Sequence, residues 1–413
     1  MKLLRIMLFC VLLCSAAASG YAQDNKIQLV WTSAEDAVMY ELEVATAPVF
    51  RDRQAPQDKI VYQTTAIYTP GVELDSSVLA AKDGKKLYYR VRPLDLDKKA
   101  VGRFSAPVAL DKGILNPTKP AVTAYGKKKV LTPLYPVYAW IPVLHAASYE
   151  VEITNQLPET ANGTEPSRYR IRNYSVGAGF DYYDSEPYRD NGTYFWRVIA
   201  FDNQGEAIGE YSDAVPFAVK TGVHKWAVFG DSITHGGGAV SNPPSDERFD
   251  YSSYLPFPVK NLGRSGDTAA ALAERFERDV LPFQPQYLFV LGGSNSIRGG
   301  VSAGEVIESL ELIKQKCQEN GILPIFLTLP PLNPERIQRV FNQPTADNWQ
   351  EELKQVNAYI RKQPYYVEIY ANLVDKRGLL PVKYAQDGLH PDIAGKKVMA
   401  RSVQSFLKKY KLK

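Results

Sequence analysis

From about residue 24 to 218, apolar and polar residues alternate in short runs, the period-two signal of strands with one buried face. The pattern comes twice. Trp31 is followed by Tyr40-Glu41-Leu42-Glu43-Val44, and Trp140, at the same spacing, by Tyr149-Glu150-Val151-Glu152-Ile153. Each copy passes a Gly-containing turn, Asp83-Gly84 or Asn191-Gly192, to a second strand, Tyr88-Tyr89-Arg90-Val91-Arg92 or Tyr194-Phe195-Trp196-Arg197-Val198. Each closes with a Ser before a Pro, Ser105/Pro107 and Ser212/Pro216. A Trp on one strand and a Tyr on the next predict a core between two sheets. Asp111 to Pro120, with Pro117 and Pro120, predicts a linker.

From about 223 the period changes. Apolar runs at Trp226–Phe229, Val259–Leu262, Tyr287–Leu291, Ile322–Leu329 and Tyr366–Tyr370 alternate with amphipathic stretches at Thr268–Val280, Ala303–Glu319, Asn348–Lys362 and Asp392–Tyr410. Strands separated by helices of this length predict right-handed crossovers and a parallel sheet covered on both faces. In such a sheet the reactive groups lie at the carboxyl ends of the strands.

The N-terminus follows neither pattern. Lys2 and Arg5 precede an apolar run from Ile6 to Ala18 and the small-residue site Gly20-Tyr21-Ala22, which predicts a secretory leader over residues 1–22. The expected location is periplasmic or extracellular. Leu13 before Cys14 is bulkier than a lipobox residue, so cleavage after Ala22 is favoured over a lipid-anchored form. Two basic residues leave with the leader, taking 49 to 47 against 45 acidic ones. That balance gives no reason to expect nucleic acid. Cys10 and Cys14 leave too, and Cys317 alone forms no internal disulfide; its helical context predicts a half-buried apolar filler. No later segment is long and apolar enough to span a membrane. The organisation expected is therefore a leader, β-sandwich modules over 23–112 and 118–220, and an α/β domain over 223–413.

Four short stretches of that last domain carry chemistry: Gly230-Asp231-Ser232, Asn261 to Thr268 (NLGRSGDT), Gly293-Ser294-Asn295-Ser296, and Asp387-Gly388-Leu389-His390-Pro391. Taken singly, each is an ordinary turn or cap. Together, at successive strand ends, they supply an acyl-transfer site. A serine hydroxyl needs a base, and an imidazole needs a carboxylate to orient it. The chain has only four histidines. His145 lies in the β repeat, His224 leads into a strand, and His235 reads as a local loop residue that could line the site, which leaves His390 with Asp387. The donors for the oxyanion are the backbone N–H groups of Ser232 and Gly266 and the side-chain amide of Asn295. Nothing has metal-ligand spacing, and no cofactor is called for.

In this order the stretches resemble the SGNH (GDSL-type) hydrolases, over about residues 225–411. The resemblance implies a three-layer, flavodoxin-like α/β fold, Ser232 as nucleophile, His390 as base, Asp387 as its orienting acid, and an oxyanion hole of Ser232, Gly266 and Asn295. One residue departs: Ser296 stands where the family has aspartate, so support of Asn295 is expected to differ. Gly292-Gly293 leaves a one-residue alternative that would put Ser294 in place of Asn295; the amide is what the chemistry requires. The β repeats resemble fibronectin type III or related immunoglobulin-like sandwiches.

Export and the preceding β modules point to an acylated glycan, as a carbohydrate esterase removing acetyl or other small acyl groups. Another small ester is the alternative substrate; a lysophospholipase or thioesterase-like acyl hydrolase is the second enzyme reading, and an inactive glycan-binding protein the third. The modules are expected to be spacers, glycan platforms, or walls packed on the cleft. In the loop Gly236–Tyr254, Phe249, Tyr251 and Tyr254 are candidates to stack on sugar rings or to pack as an ordinary surface loop. Oligomeric state is not legible.

Overall fold

The computed structural model describes residues 26–35, 37–50, 55–75, 77, 85–123, 131–237 and 246–412. The expected leader, the Asp83-Gly84 turn and residues 238–245 of the loop before Tyr254 lie outside the described residues.

The N-terminal part is built from antiparallel sheets. Strands Lys26–Val30, Gly71–Asp75 and Ile114–Leu115 make a three-stranded sheet, and Met39–Ala45, Ile60–Ile67, Tyr88–Leu94 and Val108–Ala109 a four-stranded one. Leu29 and Leu74 of the first meet Leu42, Val44 and Val91 of the second in one core. In the second copy a five-stranded sheet of Ser148–Thr154, Arg170–Gly177, Gly192–Phe201, Ala207–Ile208 and Val215–Val219 faces the pair Val137–Ala139 and Asp181–Tyr183. Its core holds Trp140, Val151, Trp196 and Val198. The stretch read as a linker is partly strand: Ile114 and Leu115 pair with Gln28 and Ile27.

The repeat extends to side-chain contacts. Trp31 and Tyr40 pack at 5.4 Å between ring centroids, Trp140 and Tyr149 at 5.0 Å. Met39–Ala45 is buried on both faces, so Leu42 and Val44 serve the core while Glu41 and Glu43 must be paired on the other face. Glu43 accepts from Arg90, whose guanidinium lies 3.9 Å over Phe104; Glu152 accepts from Arg197, 3.9 Å over Tyr211. A buried ion pair repays its desolvation only with such extra partners.

The last domain is a five-stranded sheet, parallel throughout, in the order Lys260–Asn261, His224–Gly230, Pro285–Leu291, Leu323–Leu327, Tyr366–Val367. This is the doubly wound order whose topological switch lies between the first and third strands in sequence. Helices Ala269–Val280, Ala303–Glu319, Trp349–Arg361 and Ile393–Tyr410 cover it. Val306, Leu310, Ile313 and Cys317 form the inward stripe of the second, which a Ser302–Glu305 capping box begins. Cys317 is fully buried rather than half-buried, and burial pushes its thiol up to about 12. The fifth strand is shorter than its apolar run, which turns at Tyr370 into the short helix Tyr370–Leu373. Among the described residues no helix is long and apolar enough to cross a membrane.

The β-rich region and the α/β domain share a core. Leu134 and Tyr135, between the two β copies' sheets in sequence, pack with Phe229, Leu262 and Phe276. Leu134 N–H donates to the Asn261 carbonyl at 2.9 Å, and Lys260 Nζ to the Thr132 carbonyl at 2.9 Å. Asp279, without solvent exposure, takes the Tyr135 hydroxyl and Arg189 at 2.7 Å.

Candidate active site

The first strand ends at Gly230, where a Cβ would stand 2.2 Å from the Leu291 carbonyl oxygen and 2.4 Å from Thr234 Oγ1. The chain turns there into the four-residue helix Ser232–His235, with Asp231 as N-cap accepting from Ile233 N–H at 2.9 Å. Ser232 N–H lies in the first turn, where backbone donors have no partner within the helix. Asp231 is buried, and that burial pushes its carboxyl up to about 6. Beneath it the fully buried Lys396 of the terminal helix donates to the Ile233 carbonyl; burial pushes its ammonium down to about 8.

Ser232 Oγ lies 2.9 Å from His390 Nε2, and His390 Nδ1 lies 2.8 Å from Asp387 Oδ2. The carboxylate only accepts, so Nδ1 carries the proton and Nε2 presents its lone pair to the serine hydroxyl. Asp387 is buried, and its Oδ1 accepts the N–H groups of Leu389 and His390, each at 2.8 Å. The loop that does this needs Gly388. Its φ is +82°, and a Cβ would stand 2.6 Å from both Arg336 Cβ and the Asn333 carbonyl oxygen. Gly388→Ala is therefore expected to cost about 1–3 kcal/mol, from backbone strain and overlap. A lowered thermal midpoint together with weakened ester hydrolysis would register it.

The Asn261–Thr268 stretch is a chain of local ties. Asn261 Nδ2 donates to the Thr234 carbonyl and to Asp250 Oδ2, both at 2.9 Å, and its Oδ1 accepts from Gly263 N–H. Gly263 allows the approach of His235, whose backbone nitrogen would lie 2.4 Å from a Cβ. Gly266, with φ +89° and open space where a Cβ would be, is exposed. Asn295 Nδ2 donates to the Asp267 carbonyl at 3.0 Å, which sets the amide beside the Gly266 loop with its second N–H to spare. Ser294, the alternative, is buried. Ser296, in place of the expected aspartate, turns its hydroxyl to accept Ala269 N–H at 3.0 Å, and so satisfies a first-turn donor of the helix Ala269–Val280. Asn295 is supported by a backbone carbonyl rather than by its neighbour.

Several groups escaped the sequence reading. Arg275 sits on the buried face of Ala269–Val280, where it pairs with Asp267, bonds Asp279 at 3.1 Å and donates to the Gly230 carbonyl at 3.1 Å. A charged residue between Leu272 and Phe276 on an apolar stripe was the signal for it. His235 is more than a local loop residue. It is buried, with Nε2 2.7 Å from the Tyr135 carbonyl, Nδ1 2.9 Å from Ser265 Oγ and its ring against Tyr183. Nothing in the sequence linked it to Tyr135, a hundred positions away. Phe249 and Tyr251 are buried, and the Tyr254 hydroxyl donates to the Arg248 carbonyl, so the first two are core residues with no face free for a sugar ring.

Residues 228–398 match the GDSL-like Lipase/Acylhydrolase family model. Among solved structures, a GDSL-like lipase from Bacteroides thetaiotaomicron is 22% identical over 45% of this chain and 89% of that one, with a TM-score of 0.36. A mutant of an acetyl-xylooligosaccharide esterase from Geobacillus is 21% identical over 45% of this chain and 95% of that one, with a TM-score of 0.33. No curated protein matches. No family match identifies the β-rich region. Residues 228–398 are a GDSL-like lipase/acylhydrolase domain, and with it the protein is a carboxylic ester hydrolase.

Proposed function

We propose that the protein is an exported serine esterase that removes acetyl or other small acyl groups from a glycan. The observation that carries the serine chemistry is the hydrogen-bonded line from Ser232 Oγ through His390 to Asp387. Ser232 Oγ attacks the ester carbonyl carbon while His390 Nε2 takes its proton. The oxyanion is held by Ser232 N–H, Gly266 N–H and Asn295 Nδ2. As the C–O bond of the alcohol breaks, the imidazolium returns the proton to the leaving oxygen, with Asp387 stabilising its charge. Water, deprotonated by His390, then attacks the acyl-enzyme and frees Ser232 and the acid.

The polar border favours a polar substrate: Arg264, Ser265 and Asn295 are half-buried around the exposed Gly266. The N-terminal leader pattern supports export. The two β units, each a pair of sheets on one core, support a fibronectin type III-like reading of residues 23–112 and 118–220.

Acetate release from a panel of acetylated polysaccharides, together with p-nitrophenyl esters of increasing chain length, tests the substrate. Acetyl esters are expected to be cleaved with the highest kcat/KM. A strong preference for long acyl chains would sink the glycan reading and favour a lysophospholipase or thioesterase-like activity.

A further inference from the structure

The two β copies each carry the same tight turn, and among the described residues the first of them bonds the hydrolase domain. In the first, Asp95 Oδ1 accepts the N–H groups of Asp97 and Lys99, each at 2.8 Å; in the second, Asp202 Oδ1 accepts those of Gln204 and Glu206, each at 2.9 Å. The closing backbone bonds correspond as well, Asp95 N–H to the Lys99 carbonyl and Asp202 N–H to the Glu206 carbonyl, each at 2.9 Å. Lys98 and Gly205 share the positive φ, +61° and +84°. In the second copy the tip, Asn203 and Gln204, is exposed.

In the first copy the tip lies against the loop that carries Asp387 and His390. Leu96 N–H donates to Gln386 Oε1 at 2.8 Å, across 290 positions of sequence. Both oxygens of Asp97 lie 3.2 Å from Arg336 Nη1, and one lies 2.6 Å from Arg339 Nη2. Arg336 in turn donates from Nε to the Gln386 carbonyl at 2.8 Å. Gln386 is the residue before Asp387. With its side chain held by Leu96, its carbonyl by Arg336, and its N–H by Asp392 Oδ2 at 2.7 Å, it is fixed on three sides. Arg336 is nearly buried, and Asp97 is the carboxylate that balances it there.

We infer that the Asp95–Lys99 turn is a positioning clamp for the acid–base loop, with Asp97 and Arg336 as positioning residues acting through Gln386 on Asp387. This rests on the reading of Asp387 and His390 as acid and base. A shared turn with equal local bonding, tied to the hydrolase domain in one copy and exposed at its tip in the other, is an internal control: the local fold does not need Asp97, since Gln204 serves equally.

The test is steady-state hydrolysis of p-nitrophenyl acetate by the full chain carrying Asp97→Ala, Asp97→Asn, Asp97→Glu or Gln204→Ala. The labelling rate of Ser232 by a fluorophosphonate is measured beside it. Misplacement of a catalytic group by a fraction of an ångström is expected to lower kcat about ten-fold in Asp97→Ala and Asp97→Asn. The labelling rate falls in parallel, KM stays within about two-fold, Asp97→Glu recovers most of the rate, and Gln204→Ala is unchanged. A role confined to joining the domains would lower the thermal midpoint and leave kcat and labelling of the folded protein at their original values. That result, in either Asp97→Ala or the isosteric Asp97→Asn, overturns the clamp. If Ser232→Ala retained its activity, the serine reading itself would fail; an inactive Ser232→Ala beside a fully active Asp97→Asn removes the clamp alone.

Discussion

Ser232→Ala is expected to lower kcat for acetyl ester hydrolysis on the order of 10⁴- to 10⁶-fold, with the fold and thermal midpoint nearly unchanged. The size follows from the chemistry. Without the hydroxyl there is no acyl-enzyme, and what remains is water attacking a carbonyl held by the oxyanion donors. The fold should tolerate the change because Ser232 Oγ bonds His390 Nε2, and the His390 side chain keeps 15% of its exposure, so water can serve it. Stopped and steady-state assays with p-nitrophenyl acetate would measure the loss. Activity within ten-fold of the original would mean that another group is the nucleophile.

Removal of residues 23–218 is expected to abolish hydrolysis of soluble esters and polymers alike. A detachable glycan module would spare the soluble substrate. Here the deletion takes Leu134 and Tyr135 out of the hydrolase core and strips partners from three buried polar groups. Asp279 loses Tyr135 and Arg189, His235 loses the Tyr135 carbonyl, and Lys260 loses the Thr132 carbonyl. Lys260 is already pushed down to about 7 by burial, so it is poorly placed to lose its acceptor. Asp279 keeps Arg275 and His235 keeps Ser265, so each lost partner costs at most about 1–3 kcal/mol, and the lost apolar burial adds the larger share. The sum rivals the 5–15 kcal/mol that holds a typical domain folded. Yield, circular dichroism and ester hydrolysis of the 219–413 fragment would decide. A folded fragment with the original rate on p-nitrophenyl acetate would show the two parts to be independent.

The strand pattern was legible because it is local. Tyr40 to Val44 and Tyr149 to Ile153 alternate in plain view, and the parallel sheet follows from apolar runs separated by helix-length spacers. What alternation alone concealed was the burial of both faces, so that Glu43 and Glu152 read as solvent-facing when they are sealed against Arg90 and Arg197. The stretches bearing Ser232, Gly266, Asn295 and His390 were legible for a similar reason: each is a compact motif, three of them just after a strand and the fourth just before the helix Ile393–Tyr410. Arg275, Lys396 and His235 were not. Their significance depends on which distant carbonyl each reaches, and neither periodicity nor spacing encodes a contact such as His235 to Tyr135. The tie between Leu96 and Gln386 lies still further beyond a linear reading, since it joins units that the composition separates.

The hydrogen bond between Ser232 and His390 spans 158 positions, and the second partner is delivered by the loop just before the helix Ile393–Tyr410. A chain made from its N-terminus therefore exposes both β units and all five parallel strands before the base can arrive. Until the loop before that helix docks, every earlier element can be in place and Ser232 still lacks its hydrogen-bond partner His390. On the proposed mechanism, ester cleavage therefore requires the loop before Ile393–Tyr410 to be made and docked, and a chain stopped before His390 lacks the base.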